Sequence, residues 1–384
     1  MLRHVHLGFL VLVVSLATLV PGTFAQPWQE FPISINDDNA MYPDVDGQYV
    51  VWEALNKQFG DRDVFVADIS NLDDIKSYVI LGGSGDERYP KVSSGIIVCQ
   101  RKEDGAPDWD VVALDLWYPQ FGFFTIANTE ADESRPDISQ NQVVYEQRPK
   151  GSNWNIFMTD VWSENLDTRA LAASTEDEAT PVISENMVIW RAGQAHYTES
   201  YCDGAEVSDP NAIQNFITYM SLGLYAMPAV SKEWLVTLDP DGILKADNLF
   251  DPFPPIVITT KDAQNPSNPA ISRNIIVFDD ERNGNRDIFA YNLATGVEFQ
   301  ITKNSANQTH PAIYGDVDNG RFIVVWQDRR HDNSDIYGAV LTGPLVAGCV
   351  SPPRQDINGD CIVDFRDFAL LAENWLRSES ITSK

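Results

Sequence analysis

Pro269-Ala270-Ile271-Ser272-Arg273-Asn274-Ile275-Ile276-Val277-Phe278 reads as a proline-led strand followed by a second apolar strand that ends on a large ring. The same grammar returns seven times, led by Pro43, Pro90, Pro136, Pro181, Pro228, Pro269 and Pro311, at steps of 41 to 47 residues. A proline in that place occupies a strand position where no ladder donor is needed. Nine residues on, Trp52, Cys99, Tyr145, Trp190 and Phe278 share one position. Thr237 weakens it, and Trp326 reaches it after six inserted residues between Tyr314 and Arg321. Bulky apolar side chains at one place in each sheet predict packing between units.

A polar turn and a third strand follow, opened by Asp63, Asp110, Asn155, Asp287 and Asp335. The turn of the sixth repeat holds Asn283-Gly284, a strong hairpin signal. The opening Asp or Asn is expected to accept backbone N–H groups of its turn. The fifth repeat offers only Asp247-Asn248-Leu249-Phe250, and the fourth carries an insertion from His196 to Asn211, with Tyr197, Tyr201 and Cys202, in which no third strand is legible. Fourth strands hold Ile80, Ile126, Leu171, Ile217, Ile258 and Ile301. The last repeat stops after Leu341 without one, while Glu30-Phe31-Pro32-Ile33-Ser34 aligns with Glu298-Phe299-Gln300-Ile301-Thr302. The period and four-strand unit predict an all-β, seven-bladed β-propeller closed by its own N-terminal strand, which hides the open edge of the ring.

Val325-Trp326-Gln327-Asp328, then Arg330 and Asp335-Ile336-Tyr337, resemble the repeat of TolB-like propellers, and the resemblance runs from residue 30 to about 341. It implies the fold. Propellers of this type serve as binding platforms, peptidase gates and polysaccharide lyases, so activity must be argued from the site.

The chain carries 27 basic and 56 acidic residues, a formal charge of −29. Its start, with Arg3, an apolar stretch from Leu7 to Val20 and then Thr23-Phe24-Ala25, predicts a secretory signal peptide cut after Ala25. Removal takes away one basic residue and no acidic one, leaving −30. Such a field makes nucleic acid and anionic membrane surfaces poor partners and attracts divalent cations. No later segment is apolar enough to span a bilayer. Domain boundaries are expected at 26–343 for the propeller, 344–354 for a linker and 355–378 for a C-terminal unit. An exported chain permits disulfides, and Cys349 and Cys361 are close enough for a local bridge. Cys99, at a core position, reads as a small buried hydrophobe.

In the C-terminal unit, Asp356, Asn358, Asp360, Asp364 and Asp367 fall at positions 1, 3, 5, 9 and 12 of a loop, with the Ile362 carbonyl at position 7. That is the spacing by which an EF-hand-type loop wraps Ca²⁺. Phe365, Phe368, Leu371, Ala372 and Trp375 then recur at helical spacing. The unit resembles a single dockerin type I repeat, with Cys361 where glycine is usual. The resemblance implies calcium as cofactor and a cohesin-like module or cell-surface protein as partner.

Among possible active sites, His196, His310 and His331 lack metal-ligand spacing, and no nucleophile elbow or phosphate loop occurs. The residues before the seven prolines are Tyr42, Tyr89, Arg135, Thr180, Met227, Asn268 and His310. If each starts an innermost strand, they ring one mouth of the central channel, with His310, Tyr42, Tyr89 and Arg135 in adjacent blades. Tyr, His and Arg together are the groups a β-elimination lyase needs to abstract a proton and steady a uronate carboxylate. The other reading of the same residues is a ligand-binding mouth without chemistry. An exported binding or scaffold propeller, attached through the tail to a polysaccharide-degrading assembly or cell surface, is the leading expectation, with the lyase as its alternative.

Overall fold

The structure, a computed structural model, describes residues 28–35, 39–193, 200–208, 214–222, 226–250, 254–259, 262–316 and 320–342. The leader, the linker, the calcium loop and the Cys349–Cys361 pair lie outside the described residues.

Strand β1 (Glu30–Ser34) comes first. Blade one is β2 (Met41–Asp46), β3 (Tyr49–Leu55), β4 (Arg62–Asp68) and β5 (Lys76–Leu81). Blade two is β6 (Gly85–Ser93), β7 (Ile96–Glu103), β8 (Asp110–Asp115) and β9 (Phe123–Ala127). Blade three is β10 (Asp132–Ser139), β11 (Gln142–Arg148), β12 (Asn155–Asp160) and β13 (Thr168–Ala172). Blade four is β14 (Asp177–Ser184), β15 (Met187–Gly193), β16 (Ser200–Glu206) and β17 (Gln214–Leu222). Blade five is β18 (Ala229–Ser231), β19 (Trp234–Leu238), β20 (Leu244–Asn248) and β21 (Ile256–Val257). Blade six is β22 (Ser267–Ser272), β23 (Ile275–Asp280), β24 (Asp287–Asn292) and β25 (Val297–Gln300). Blade seven is β26 (Gln308–Asp316), β27 (Arg321–His331) and β28 (Asn333–Leu341), with β1 as its fourth strand. The all-β seven-bladed ring closed by the N-terminal strand is therefore the observed architecture.

The fourth repeat does have a third strand: β16 is drawn from the stretch where none was legible, and Cys202 is buried in it. In the fifth, β20 begins at Leu244, so Asp247 lies near its end rather than opening it. Glycine and alanine replace the usual apolar grammar in β16, which is why pattern alone passes over it.

The ninth-position side chains lie between blades. Trp52 packs into a cluster with Val325 and Ile336 of blade seven, Tyr145 with Val98 and Val111 of blade two, Trp190 with Val144 and Ile156 of blade three, and Phe278 with Val236 and Leu244 of blade five. Cys99 sits likewise against Val51 and Val64 of blade one, its thiol raised by burial. Within a blade the same position stacks on the third strand: Trp52 on Phe65 at 5.9 Å, Tyr145 on Phe157 at 5.9 Å and Phe278 on Phe289 at 6.1 Å. Burying each such ring is worth roughly 2–3 kcal/mol, so one position per repeat both fills a blade and glues it to its neighbour.

The Asp residues that open third strands take side-chain partners, contrary to the expectation of backbone donors. Asn56 donates to buried Asp63, Asn128 to Asp110 at 3.2 Å, Asn283 and Gln300 to Asp287 at 3.0 and 2.9 Å, and His331 pairs with Asp335 at 2.9 Å. Backbone N–H groups two residues on go instead to an Asp of the second strand: Arg282 N to Asp280, the last residue of β23, at 2.8 Å and Arg330 N to Asp328, within β27, at 2.9 Å. The guanidinium of Arg282 returns to Asp280, reaches Glu298 and covers the Phe289 ring at 4.1 Å. Arg330 repeats this with Asp328, Glu30 at 2.7 Å and Tyr337 at 4.0 Å. Glu30 of the closing strand thus fills the place that Glu298 holds in blade six.

A second repeated bond stitches blade to blade. Three residues after each of the first six prolines stands Asp46, Ser93, Ser139, Ser184, Ser231 or Ser272. Each accepts a backbone N–H of the next blade, five of them in a turn and the last near the end of β26: Ser94 on Asp46 (2.6 Å), Gln140 on Ser93 (3.0 Å), Glu185 on Ser139 (2.9 Å), Lys232 on Ser184 (3.2 Å), Arg273 on Ser231 (2.8 Å) and Gly315 on Ser272 (3.1 Å). Ser231→Ala strands the Arg273 N–H and is expected to cost about 1–2 kcal/mol in urea unfolding. An unchanged midpoint would show that water takes the place of the hydroxyl.

Candidate channel site

The residues before the prolines do not start their strands. Tyr42, Tyr89, Arg135, Thr180, Asn268 and His310 sit inside β2, β6, β10, β14, β22 and β26, with φ between 47° and 52°. At each, the pairing with the second strand shifts register. A side chain with a Cβ adopts such left-handed backbone rarely and at a cost of order 1 kcal/mol or more, so a repeated compensation is expected.

That compensation is a polar acceptor immediately after the ninth-position residue. Glu53 accepts the N–H of Tyr89 at 2.8 Å, Gln100 that of Arg135 at 3.1 Å, Glu146 that of Thr180 at 2.7 Å and Asp279 that of His310 at 3.1 Å. In each case the acceptor belongs to the preceding blade. Arg191, which holds the acceptor place before Met227, carries only donors, and Met227 is the one residue of the seven without positive φ. Leu238 precedes Asn268, but asparagine takes left-handed backbone readily and bonds Asp279 with its own amide at 2.7 Å.

The bulges bring the four sequence-predicted candidates into one contact series. Tyr42 lies 5.2 Å from Tyr89 and meets His310 edge-on at 5.0 Å, and the Arg135 guanidinium stands 5.2 Å over Tyr89. Arg135 also reaches Glu146 at 3.6 Å and the Met227 sulfur at 4.0 Å, past blade four. Thr180 and Asn268 are not part of this series.

Burial governs the electrostatics. It raises the Tyr42 phenol, with Tyr89 and Glu53 adding to the effect against Arg62 and Arg135. It raises Glu53 and Glu146 against the bonds from Tyr89 N–H and the charge of Arg135. It lowers His310 below the ordinary imidazole value, against the pull of Asp279, and leaves Nδ1 without a hydrogen-bond partner. Asp279 itself is saturated by Ser267, Asn268, Arg286 and the His310 N–H. No group of three or more His, Cys, Asp and Glu side chains among the described residues is arranged to hold a metal ion.

Sequence reasoning found the four side chains and missed the acceptors beneath them. Their signal was available: Glu53, Gln100, Glu146 and Asp279 each follow a ninth-position apolar residue directly.

No protein-family model matches the chain, and no curated protein matches it. Among solved structures, a prolyl endopeptidase aligns with a TM-score of 0.62 and 10% identity over 80% of this chain and 47% of that one. The β-propeller domain of the Trilobed protease from Pyrococcus furiosus, described as having an open velcro topology, aligns with a TM-score of 0.58 and 9% identity over 79% of this chain and 95% of that one. TolB from Acinetobacter baumannii aligns at a TM-score of 0.40 and 13% identity over 55% of this chain and 52% of that one. This chain thus spans about half the length of the endopeptidase. At identities of about a tenth, the likeness to the endopeptidase and to the protease propeller domain shows the fold alone, a β-propeller.

Proposed function

We propose that the chain is an exported, non-catalytic binding propeller that takes its ligand at the Tyr42–Tyr89–His310–Arg135 series and is held to a polysaccharide-degrading assembly or cell surface by its calcium-binding, dockerin-like tail. The observation that carries the reading is the commitment of the channel carboxylates: Glu53, Glu146 and Asp279 each bind the backbone of the next blade. Groups that hold the ring together cannot also relay protons without loosening it. Against the lyase, the Tyr42 phenol is raised rather than lowered, a poor setting for a base, and Arg135 is engaged by Glu146 and Tyr89. A ligand for such a mouth is a partner segment that stacks on tyrosine and offers a carboxylate or carbonyl to Arg135.

The test has two arms. Calcium titration of the full chain is expected to show one site, lost when Asp356→Ala is combined with Asp367→Ala; no heat and no spectral change in the unaltered chain would remove the tail from the proposal. Incubation with uronate polysaccharides is expected to give no unsaturated-product absorbance. Product that disappears in His310→Ala would replace the binding reading with the lyase.

A further inference from the structure

Six blades join their third and fourth strands by one kind of turn. The N–H of Ser70 bonds the Asp68 side chain (2.8 Å), Trp117 bonds Asp115 (2.8 Å), Trp162 bonds Asp160 (2.9 Å), Ser208 bonds Glu206 (3.1 Å), Phe250 bonds Asn248 (3.1 Å) and Ala294 bonds Asn292 (2.9 Å). The residue between them sends its own N–H to the turn joining the first two strands, as Leu116 does to Gly95 at 2.8 Å and Val161 to Asn141 at 2.9 Å. The side chain after the turn is therefore displayed on a backbone fixed at two points.

In three blades that side chain is a large ring in solvent: Trp117 is 65% exposed, Trp162 67% and Phe250 67%. None belongs to a core cluster between blades. Trp117 is further held by its indole N–H on the Ser94 carbonyl at 3.3 Å and lies against Gly95, where a Cβ would collide with the ring. Blade two adds Tyr118 and Phe121, 6.3 Å apart and also exposed, at the start and the end of the one-turn helix Pro119–Phe121, which Tyr118 caps. With Asp115, Gly122 and Phe124 they line an open cleft of about 290 Å³.

We propose that this face binds a neutral polysaccharide, with Trp117, Tyr118, Phe121 and Asp115 forming the main subsite and Trp162 of the adjacent blade a second. Single exposed apolar residues are ordinary, but the same turn position carrying rings in three blades is a pattern with an energetic cost in water. A sugar ring offers an apolar C–H face whose partial positive charge suits the negative face of an aromatic ring. Its rim of hydroxyls can donate to a carboxylate such as Asp115. A polymer of repeating rings meets a platform repeated from blade to blade. The formal charge of −29, with Asp115 and Asp160 at the turns, disfavours an anionic polymer. A folded protein partner needs a contiguous patch of about 800 Å² on each side, whereas here the rings are carried on separate turns, Trp117 in blade two, Trp162 in blade three and Phe250 in blade five. None of its residues belongs to the channel series or to the tail sequence, so its test is independent of both.

The probes are hydroxyethylcellulose, xyloglucan and galactomannan, with polygalacturonate as the anionic control, read by affinity electrophoresis and tryptophan emission on the full chain. Retardation by at least one neutral polymer is expected, weakened about tenfold or more by Trp117→Ala or by Tyr118→Ala with Phe121→Ala, and less by Trp162→Ala. Trp162→Ala and Phe121→Ala leave the Trp117–Gly95 contact in place and keep the test open where Trp117→Ala disturbs folding, which thermal unfolding reports. The proposal is overturned if no neutral polymer binds, if the variants bind unchanged, or if polygalacturonate binds most tightly. It is also overturned if the substitutions instead dissociate a dimer in sedimentation, which would make the face an interface between copies.

Discussion

Deletion of residues 26–35 is expected to leave a chain that no longer unfolds as one cooperative ring and that self-associates at micromolar concentration. Strand β1 buries Phe31 and Ile33 against blades seven and one, and Trp28 joins the cluster between blades six and seven. The Trp28 indole also donates to the Ile301 carbonyl of blade six at 3.2 Å and lies 5.6 Å from Phe299. At roughly 2–3 kcal/mol per buried side chain, the three are worth on the order of 7 kcal/mol, comparable with the whole stability of an ordinary domain. The uncovered β28 would also present a row of unpaired backbone groups, the setting for edge-to-edge pairing. Urea unfolding and light scattering read both consequences. A monomeric truncation with an unchanged midpoint would show that the ring holds without its latch. Replacing only Glu30 removes one charged bond to Arg330, and its smaller effect separates the latch from the packing.

Thermal stability is expected to fall by several degrees as pH rises from 5 to 8. Burial pushes Glu87 up to about 7 against its bonds to Arg101, and pushes Asp137 up to about 6 against Lys91. Burial likewise raises Asp110 and Asp203 to about 6, with neighbouring carboxylates adding to it. Each carboxyl therefore binds its proton more tightly folded than unfolded. Between the ordinary carboxylate range near 4 and these higher values the folded chain holds the extra protons, so stability declines as pH rises through that window. For Glu87, 2% exposed, the shift corresponds to about 3 kcal/mol. Glu87→Gln is expected to flatten much of the slope and raise the melting temperature at pH 8, because Arg101 keeps Glu103 at 3.2 Å and the Phe123 ring at 4.2 Å. A melting temperature flat or rising from pH 5 to 8 would refute the assignment.

How much of this was legible depends on which physical signal each feature leaves. The proline period, the ninth-position rings and the match of Glu30-Phe31 to Glu298-Phe299 report packing and pairing, which spacing records directly. The bulges were not legible, because the same X-Pro pair serves at a strand start or inside a strand, and only φ tells the two apart. Tyr42 and His310 were thus brought together as expected, but by left-handed backbone held from the neighbouring blade. The serines three residues past the prolines were in plain sight. They went unread because one hydroxyl in a strand has no meaning until the turn of the next blade is set beside it. β16 lay hidden behind Gly204 and Ala205, whose small side chains carry no strand period.

The pairing of Glu30 with Ala339 has a further consequence for how the molecule can be mounted. Because β1 and β28 run antiparallel, the start of one and the end of the other lie together, on the face that carries the turns between third and fourth strands. A segment continuing past Thr342 sets out from the face of Trp117 and Trp162. A propeller tethered by that segment would lay its aromatic rings toward the surface that holds it, and turn the loops between second and third strands outward to whatever passes.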